Sequence, residues 1–169
     1  MEIFVVLSAI LLQKVSDLRR HVLNRKFLFE NGGKISQPSL TLGWLVADWF
    51  ILILAIAEWR FLQTTVPFGV MVAAAGILII AFALKIWVRF SLGALWTFDL
   101  IVVPGVSRVV TGPYRFFPHT DYLARVLEAV AIAIFFGAYY SLGIYCGFLC
   151  LILPAILGFE RRQLELMSY

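Results

Sequence analysis

The sequence predicts an all-α integral membrane protein of about five transmembrane helices, with a C-terminal helical hairpin and one long cytoplasmic loop before it. Three observations predict this. The 169 residues are 62% hydrophobic and 14% charged, whereas a soluble domain averages roughly 45–50% apolar and about 25% charged. The apolar residues gather into runs near the roughly 20 that a bilayer core takes as helix. Lysine and arginine concentrate in alternate connections, as expected of loops that stay in the cytoplasm.

The first segment, Met1 to about Leu18, is the weakest span. Its apolar start, Ile3 to Leu12, follows Glu2 rather than a basic stretch and lacks a small-residue cleavage site, so it reads as a structural helix and not a signal peptide. Asn31 to Ser39, with Gly32-Gly33 and Pro38, reads as a turn returning the chain to the membrane. The second span runs from Gly43 to about Leu62, with Trp44 and Trp49 at an interfacial start, and the third from Val66 to about Val88. From Ser91 to Thr120, Gly93, Pro104, Gly105, Gly112, Pro113 and Pro118 interrupt any helix, and Leu100 to Val103 forms a short β-branched run. A long connection this rich in Trp, Phe, Val and Tyr is ordered, and is where chemistry belongs. Leu123 to Phe159 is too long for one crossing, and Gly137-Ala138-Tyr139-Tyr140-Ser141 divides it into a hairpin whose short arms require tilt or a thinned bilayer. Cys146 and Cys150 lie in an apolar run and read as small packing residues, not as a disulfide or metal framework.

Lys14, Arg19, Arg20, Arg25, Lys26 and Lys34 follow helix one; Lys85, Arg89, Arg108, Arg115 and Arg125 surround the connection between helices three and four; Arg161 and Arg162 follow the last helix. Only Arg60 lies near the connection Gln63 to Pro67. The expected topology is an outside N-terminus and a cytoplasmic C-terminus. The net charge of +4 then reflects topology and attraction to anionic headgroups, and no basic stripe supports nucleic-acid binding. With no repeat or linker, residues 1–169 form a single membrane domain.

Val103-Pro104-Gly105-Val106, followed by Gly112-Pro113-Tyr114-Arg115-Phe116-Phe117-Pro118-His119-Thr120-Asp121-Tyr122, is the segment with a motif. It resembles the isoprenylcysteine carboxyl methyltransferase family, whose members carry Gly-Pro-Tyr-Arg, two variable residues, Arg-His-Pro-x-Tyr, a transmembrane hairpin and paired glutamates. Leu92-Gly93, Trp96, Pro104-Gly105 and Glu128 resemble the short bacterial branch linked to alkylpyrone and alkylresorcinol O-methylation, which implies a bacterial cytoplasmic membrane. The resemblance covers residues 83–164, leaving 1–82 as N-terminal helices. This chain departs from the family at four positions: Pro118 stands for the Arg before the His, Thr120 for the Pro after it, Ile156 for an Arg, and Arg161 for the second glutamate.

The resemblance implies a cytoplasmic loop that binds S-adenosylmethionine, no metal, and methyl transfer by orientation and electrostatic placement. Candidate cofactor residues are Tyr114, Arg115, His119, Tyr122 and Glu160: Glu160 for cationic groups, Arg115 and His119 for the carboxylate, Tyr114 and Tyr122 with Phe116 and Phe117 for the adenine. Glu128 and His119 are the candidate catalytic residues, either one serving as base for a hydroxyl acceptor. Each has a plainer reading. His119 also fits a histidine bonded to a backbone carbonyl, Arg115 and Arg125 fit headgroup-level side chains, Tyr114 and Tyr122 fit an aromatic belt, and Glu128 fits an i,i+3 ion pair with Arg125. Asp48 and Glu58 flank helix two without a site role. The expected acceptor is a membrane-embedded lipid, either a prenylcysteine carboxylate or an alkylpyrone or alkylresorcinol hydroxyl. The alternative is a retired family member that binds a lipid or a partner helix. The sequence does not fix the oligomeric state.

Overall fold

The computed structural model describes residues 2–35, 38–99, 101–103, 109–117 and 119–167; the side chains of 2, 38–42, 44, 102, 155–157 and 159–167 lie outside that description. Five α-helices are present among the described residues: α1 (Glu2–Glu30), α2 (Pro38–Leu62), α3 (Phe68–Leu92), α4 (Thr120–Phe136) and α5 (Tyr139–Met167). Phe68–Leu95 is by itself long and apolar enough to cross a membrane, and Tyr139–Pro154 is a shorter apolar stretch.

Helix α1 runs well past Leu18, because nothing in its charged second half breaks a helix before Asn31-Gly32-Gly33. Its buried face is Ile10, Lys14, Asp17, His21 and Leu28, spaced three to seven residues apart along one side. Helix α3 likewise continues beyond Val88, carrying Lys85 and Arg89 on the face that buries Ala74, Leu78 and Ala81. Lys14, Lys85, Arg89 and Arg125, read from the sequence as charges following helix one or surrounding the connection between helices three and four, are inward-facing helix residues.

Helix α4 is the centre of the bundle, packed most extensively on α3 and then on α2. Its alanines at 124, 129, 131 and 133 are buried and let neighbouring backbones come close. Towards the hairpin end, Ile132, Phe135 and Phe136 meet Ile10, Leu52, Ala55 and Leu78. Ala129 joins Ala47, Ile51, Tyr145 and Leu149 in a second cluster. Outward-facing Phe4, Leu12, Ile53, Ile79, Ile80 and Leu151 are 57–79% exposed. Such a surface is suited to lipid, not water.

The hairpin turn is narrower than Gly137 to Ser141: Gly137 ends α4 in the left-handed region, φ 67°, and Tyr139 already opens α5. Ala138 N–H bonds the Ala133 carbonyl at 2.7 Å, satisfying an orphan carbonyl of the last turn. Glu58, at the end of α2, caps α5 by accepting from the backbone N–H of Tyr140 (3.1 Å) and Ser141 (2.7 Å) and from the Ser141 hydroxyl (2.6 Å). At the other end of the bundle, the β-branched run supplies strand β2 (Ile101–Val102), which pairs antiparallel with β1 (Lys34–Ile35). Cys146 and Cys150 are exposed on α5, so they face outward and are not the packing residues expected.

Candidate active site

The motif folds as a tight 3-10 turn, Gly112–Arg115, laid against the end of α3. Gly112 is required there, because its φ is 65° and a Cβ would collide with the Ser91 side chain. Pro113 is buried, and its carbonyl accepts from the N–H groups of Phe116 and Phe117 at 3.1 Å each. Thr120, which replaces the family proline, is the first residue of α4 and only 2% exposed. Its hydroxyl donates to the Phe117 carbonyl at 2.6 Å, with the Pro113 carbonyl 3.4 Å away. The departure thus exchanges a preset φ for a side-chain bond that joins the same turn to the same helix.

Tyr114 and Arg115 sit on this turn, while His119 and Tyr122 stand one helical turn apart at the start of α4, their rings stacked with centroids 5.9 Å apart and planes 21° apart. Arg115 and His119 are exposed and Tyr114 and Tyr122 half-buried. Tyr114, Arg115, His119 and Tyr122 thus fall within one short segment of turn and helix start towards one end of the bundle, the candidate mouth of a site. Glu160 is on α5, with its side chain outside the described residues, as are those of Ile156 and Arg161; Pro104, Gly105, Arg108 and Pro118 lie wholly outside them.

Glu128 is not brought to this mouth. It is about 13 Å further along α4, at roughly 1.5 Å per residue, and 2% exposed. Its partners are Lys14 of α1 at 2.9 Å and Lys85 of α3. The expected i,i+3 pair with Arg125 is replaced by these two, since both lysines project from facing helices into the same water-poor layer. Lys85 also lies 3.7 Å from Asp17, which pairs with Arg89 and accepts from the Gln13 amide at 2.8 Å.

Arg125 is 3% exposed, so its side chain is packed inside the bundle and does not reach outward. Its Nε donates to Asp121 at 2.8 Å and its Nη1 to Asp48 of α2 at 2.9 Å. The guanidinium lies over the Phe98 ring, 4.7 Å from the centroid. Asp121 accepts on its other oxygen from the Trp96 indole at 3.3 Å. Beside this group, Asn24 of α1 donates to the Trp96 carbonyl at 2.7 Å, and Arg25 pairs with Asp99 at 3.1 Å. The Phe98 N–H donates to His21 Nδ1 at 3.2 Å. Burial holds the His21 pKa below its ordinary value, with Asp99 opposing and Arg25 and Arg125 adding to the shift.

Sequence reasoning gave Asp17, Asp48, Lys85, Arg89 and Asp121 no place in a site. The signal that would have found them is periodicity. Residues 14, 17 and 21 share one face of α1, 85 and 89 one face of α3, and 121, 125 and 128 one face of α4. A charged face buried on three packed helices demands partners.

The described residues form an apolar-surfaced helical bundle with an aromatic and cationic motif towards one end, a build that suits a membrane protein. Within that class, the chain belongs to the isoprenylcysteine carboxyl methyltransferase (ICMT) family of membrane methyltransferases, which residues 74–165 match. The uncharacterized protein YpbQ of Bacillus subtilis (strain 168) is 32% identical over 81 residues, a stretch that covers 48% of this chain and 48% of that protein. The chain thus spans about half the length of the curated relative it matches. No solved structure matches it.

Proposed function

We propose that this protein is an S-adenosylmethionine-dependent O-methyltransferase acting on a membrane-embedded lipid, with five spans, an outside N-terminus and a cytoplasmic mouth, in a bacterial cytoplasmic membrane. The observation that carries the reading is the folded motif. A turn that needs glycine at 112 carries Tyr114 and Arg115 a few residues ahead of the stacked rings of His119 and Tyr122, which supports a shared site.

The residues present fit the cofactor's polar and aromatic parts. Arg115 and His119, both exposed, offer donors to a carboxylate, the His119–Tyr122 stack offers a wall for the adenine, and Glu160 is assigned to the cationic groups. When bound, the cofactor supplies an activated methyl group on a sulfonium. The chain's part is to orient, exclude water and handle a proton. A carboxylate acceptor is nucleophilic as it stands, whereas a hydroxyl acceptor, as in the alkylpyrone and alkylresorcinol branch, gives its proton to His119. Glu128, held by Lys14 and Lys85, contributes by fixing α1 and α3 against α4. The same engagement of Glu128, together with Pro118, Ile156 and Arg161, supports the second reading, a retired relative that holds a lipid.

Calorimetry of S-adenosylmethionine with the purified protein in detergent separates the two. Micromolar binding that is weakened by about 1–3 kcal/mol in His119→Ala and in Glu160→Ala, with labelled methyl appearing on long-tailed acceptors, is the expected result. No binding by the parent chain overturns the enzyme reading and leaves the retired one.

A further inference from the structure

The group around Arg125 joins elements that the mouth needs and that the motif does not contain. Its guanidinium spans two carboxylates on different helices, Asp121 on α4 and Asp48 on α2, and rests on Phe98 in the segment after α3. Asp121 stands between His119 and Tyr122 in the first turn of α4, and its second oxygen is taken by Trp96. Its position is thereby fixed from two sides. Any displacement of Asp121 carries the stacked rings with it, since all three residues belong to one helical turn.

A buried ion pair is weak evidence of stabilisation, because apolar residues of the same volume hold helices together at least as well. Its best-attested use is to fix register. A fork that reaches two acceptors in different directions does this better than a single ammonium, which lacks the planar geometry. Lys14, Lys85 and Glu128 lie deeper along the same faces and close their own pairs, so the Arg125 group is the layer of charge nearest the mouth.

We infer that Asp48, Arg125, Asp121 and Trp96 are positioning residues of the methyl-donor site: the Asp48–Arg125–Asp121 bridge and the Trp96 bond hold the first turn of α4 at the angle that presents His119 and Tyr122 to the cofactor. The inference rests on the methyltransferase reading for its ligand. Its structural half, control of the ring pair by Asp48, stands on the geometry alone.

The test uses the full chain in detergent and two readouts. One is calorimetric affinity for S-adenosylmethionine. The other is the position of the His119 ring signals in a ¹H–¹³C spectrum, where Tyr122 displaces them by its ring current. The chain has two histidines, so a His21→Gln background leaves the His119 signals alone, and Tyr122→Leu marks where they fall without the stack. Asp48→Asn and Arg125→Lys are expected to move these signals towards the Tyr122→Leu position and to weaken cofactor binding roughly 10- to 100-fold. Glu58→Gln is the control. It weakens the cap of α5 at the opposite end by replacing one accepting oxygen with an amide NH2, and is expected to lower the thermal midpoint with signals and affinity as in the parent.

If Asp48→Asn and Arg125→Lys lower the midpoint but leave both readouts at parental values, the group is structural and the inference is overturned. Should those two variants fail to fold, Trp96→Phe, which removes one 3.3 Å bond, decides in the same way by a smaller shift in the same direction. A parent chain that binds no cofactor defeats the methyltransferase reading instead. The His119 signals then decide alone, supporting control of the ring pair if they move and overturning it if they do not.

Discussion

Removing the charge of Glu128 should be among the most damaging single changes this chain can suffer, for reasons that have nothing to do with the mouth. Glu128→Gln keeps the shape but leaves Lys14 facing an amide. At the observed 2.9 Å, and with an effective dielectric near 20, the lost attraction is roughly 6 kcal/mol. Part is returned because a buried carboxylate no longer has to be desolvated. The net is then about 3–5 kcal/mol, the usual cost of breaking a buried pair from one side. Lys85 suffers less, because Asp17 remains 3.7 Å away.

At roughly 2–4 °C per kcal/mol for a chain of this size, the thermal midpoint should fall by about 6–20 °C. Reversible unfolding in mixed micelles, followed by tryptophan fluorescence, reads this directly. The double variant Lys14→Met/Glu128→Gln restores the local charge balance and should recover about 0.5–3 kcal/mol relative to Glu128→Gln. A midpoint within 2 °C of the parent for the single variant, or a double variant no better than the single one, would show that water reaches the cluster and that the reasoning is wrong.

Two further predictions concern the mouth and its support. Thr120→Val should cost about 1–2 kcal/mol, because it strips the hydroxyl that bonds the Phe117 carbonyl, and Thr120→Pro, the family's residue, should cost at least as much, because it strips the same hydroxyl and disfavours the ψ of 35° that His119 holds before it; denaturation midpoints of the two variants check this, and a proline variant at the parental midpoint would refute it. His21 lies beyond the Met1–Leu18 span and its pKa is lowered chiefly by burial, so the folded state resists protonation: stability is complete above the unfolded value of about 6.5 and is lost as the pH falls below it. A protonated Nδ1 also loses the Phe98 N–H bond, so thermal midpoints should drop between pH 7 and pH 5, and in His21→Gln that slope should flatten; a slope unchanged in the variant would assign the effect to other groups.

The outline of this fold was legible because hydropathy and turn residues carry it. Gly137 marked the hairpin and Gly112-Pro113 the motif turn, and both lie where backbone geometry needs them. What hydropathy misread was where helices end. It stopped α1 near Leu18 and α3 near Val88, yet helix propensity does not fall when charge rises, and α1 continues until Asn31. A second gap bore on the site: Lys14, Lys85 and Arg89 were read as markers of topology and not asked for partners on other helices. Local spacing misled at Arg125 as well. It has Glu128 three residues ahead and Asp121 four behind, both allowed by helix geometry, and only the placement of Lys14 and Lys85 on other helices decides between them.

That placement also bears on which part of the chain the family match describes. Residues 74–165 match, and α1 lies outside them, yet α1 supplies Lys14 to Glu128, Asp17 to Lys85 and Arg89, Arg25 to Asp99 and Asn24 to the Trp96 carbonyl. Every one of these partners is inside the matched region. A charge buried for the sake of a partner on another helix cannot be left alone without a cost of several kcal/mol, so Glu128, Lys85, Arg89 and Asp99 have committed the matched region to an N-terminal helix bearing these side chains. In a bilayer, where apolar faces do not drive helices together, such directional pairs decide which helix docks where. Helix α1 is therefore joined to the proposed site: it reaches Trp96 through Asn24, Trp96 reaches Asp121, and Asp121 stands within the turn that carries His119 and Tyr122.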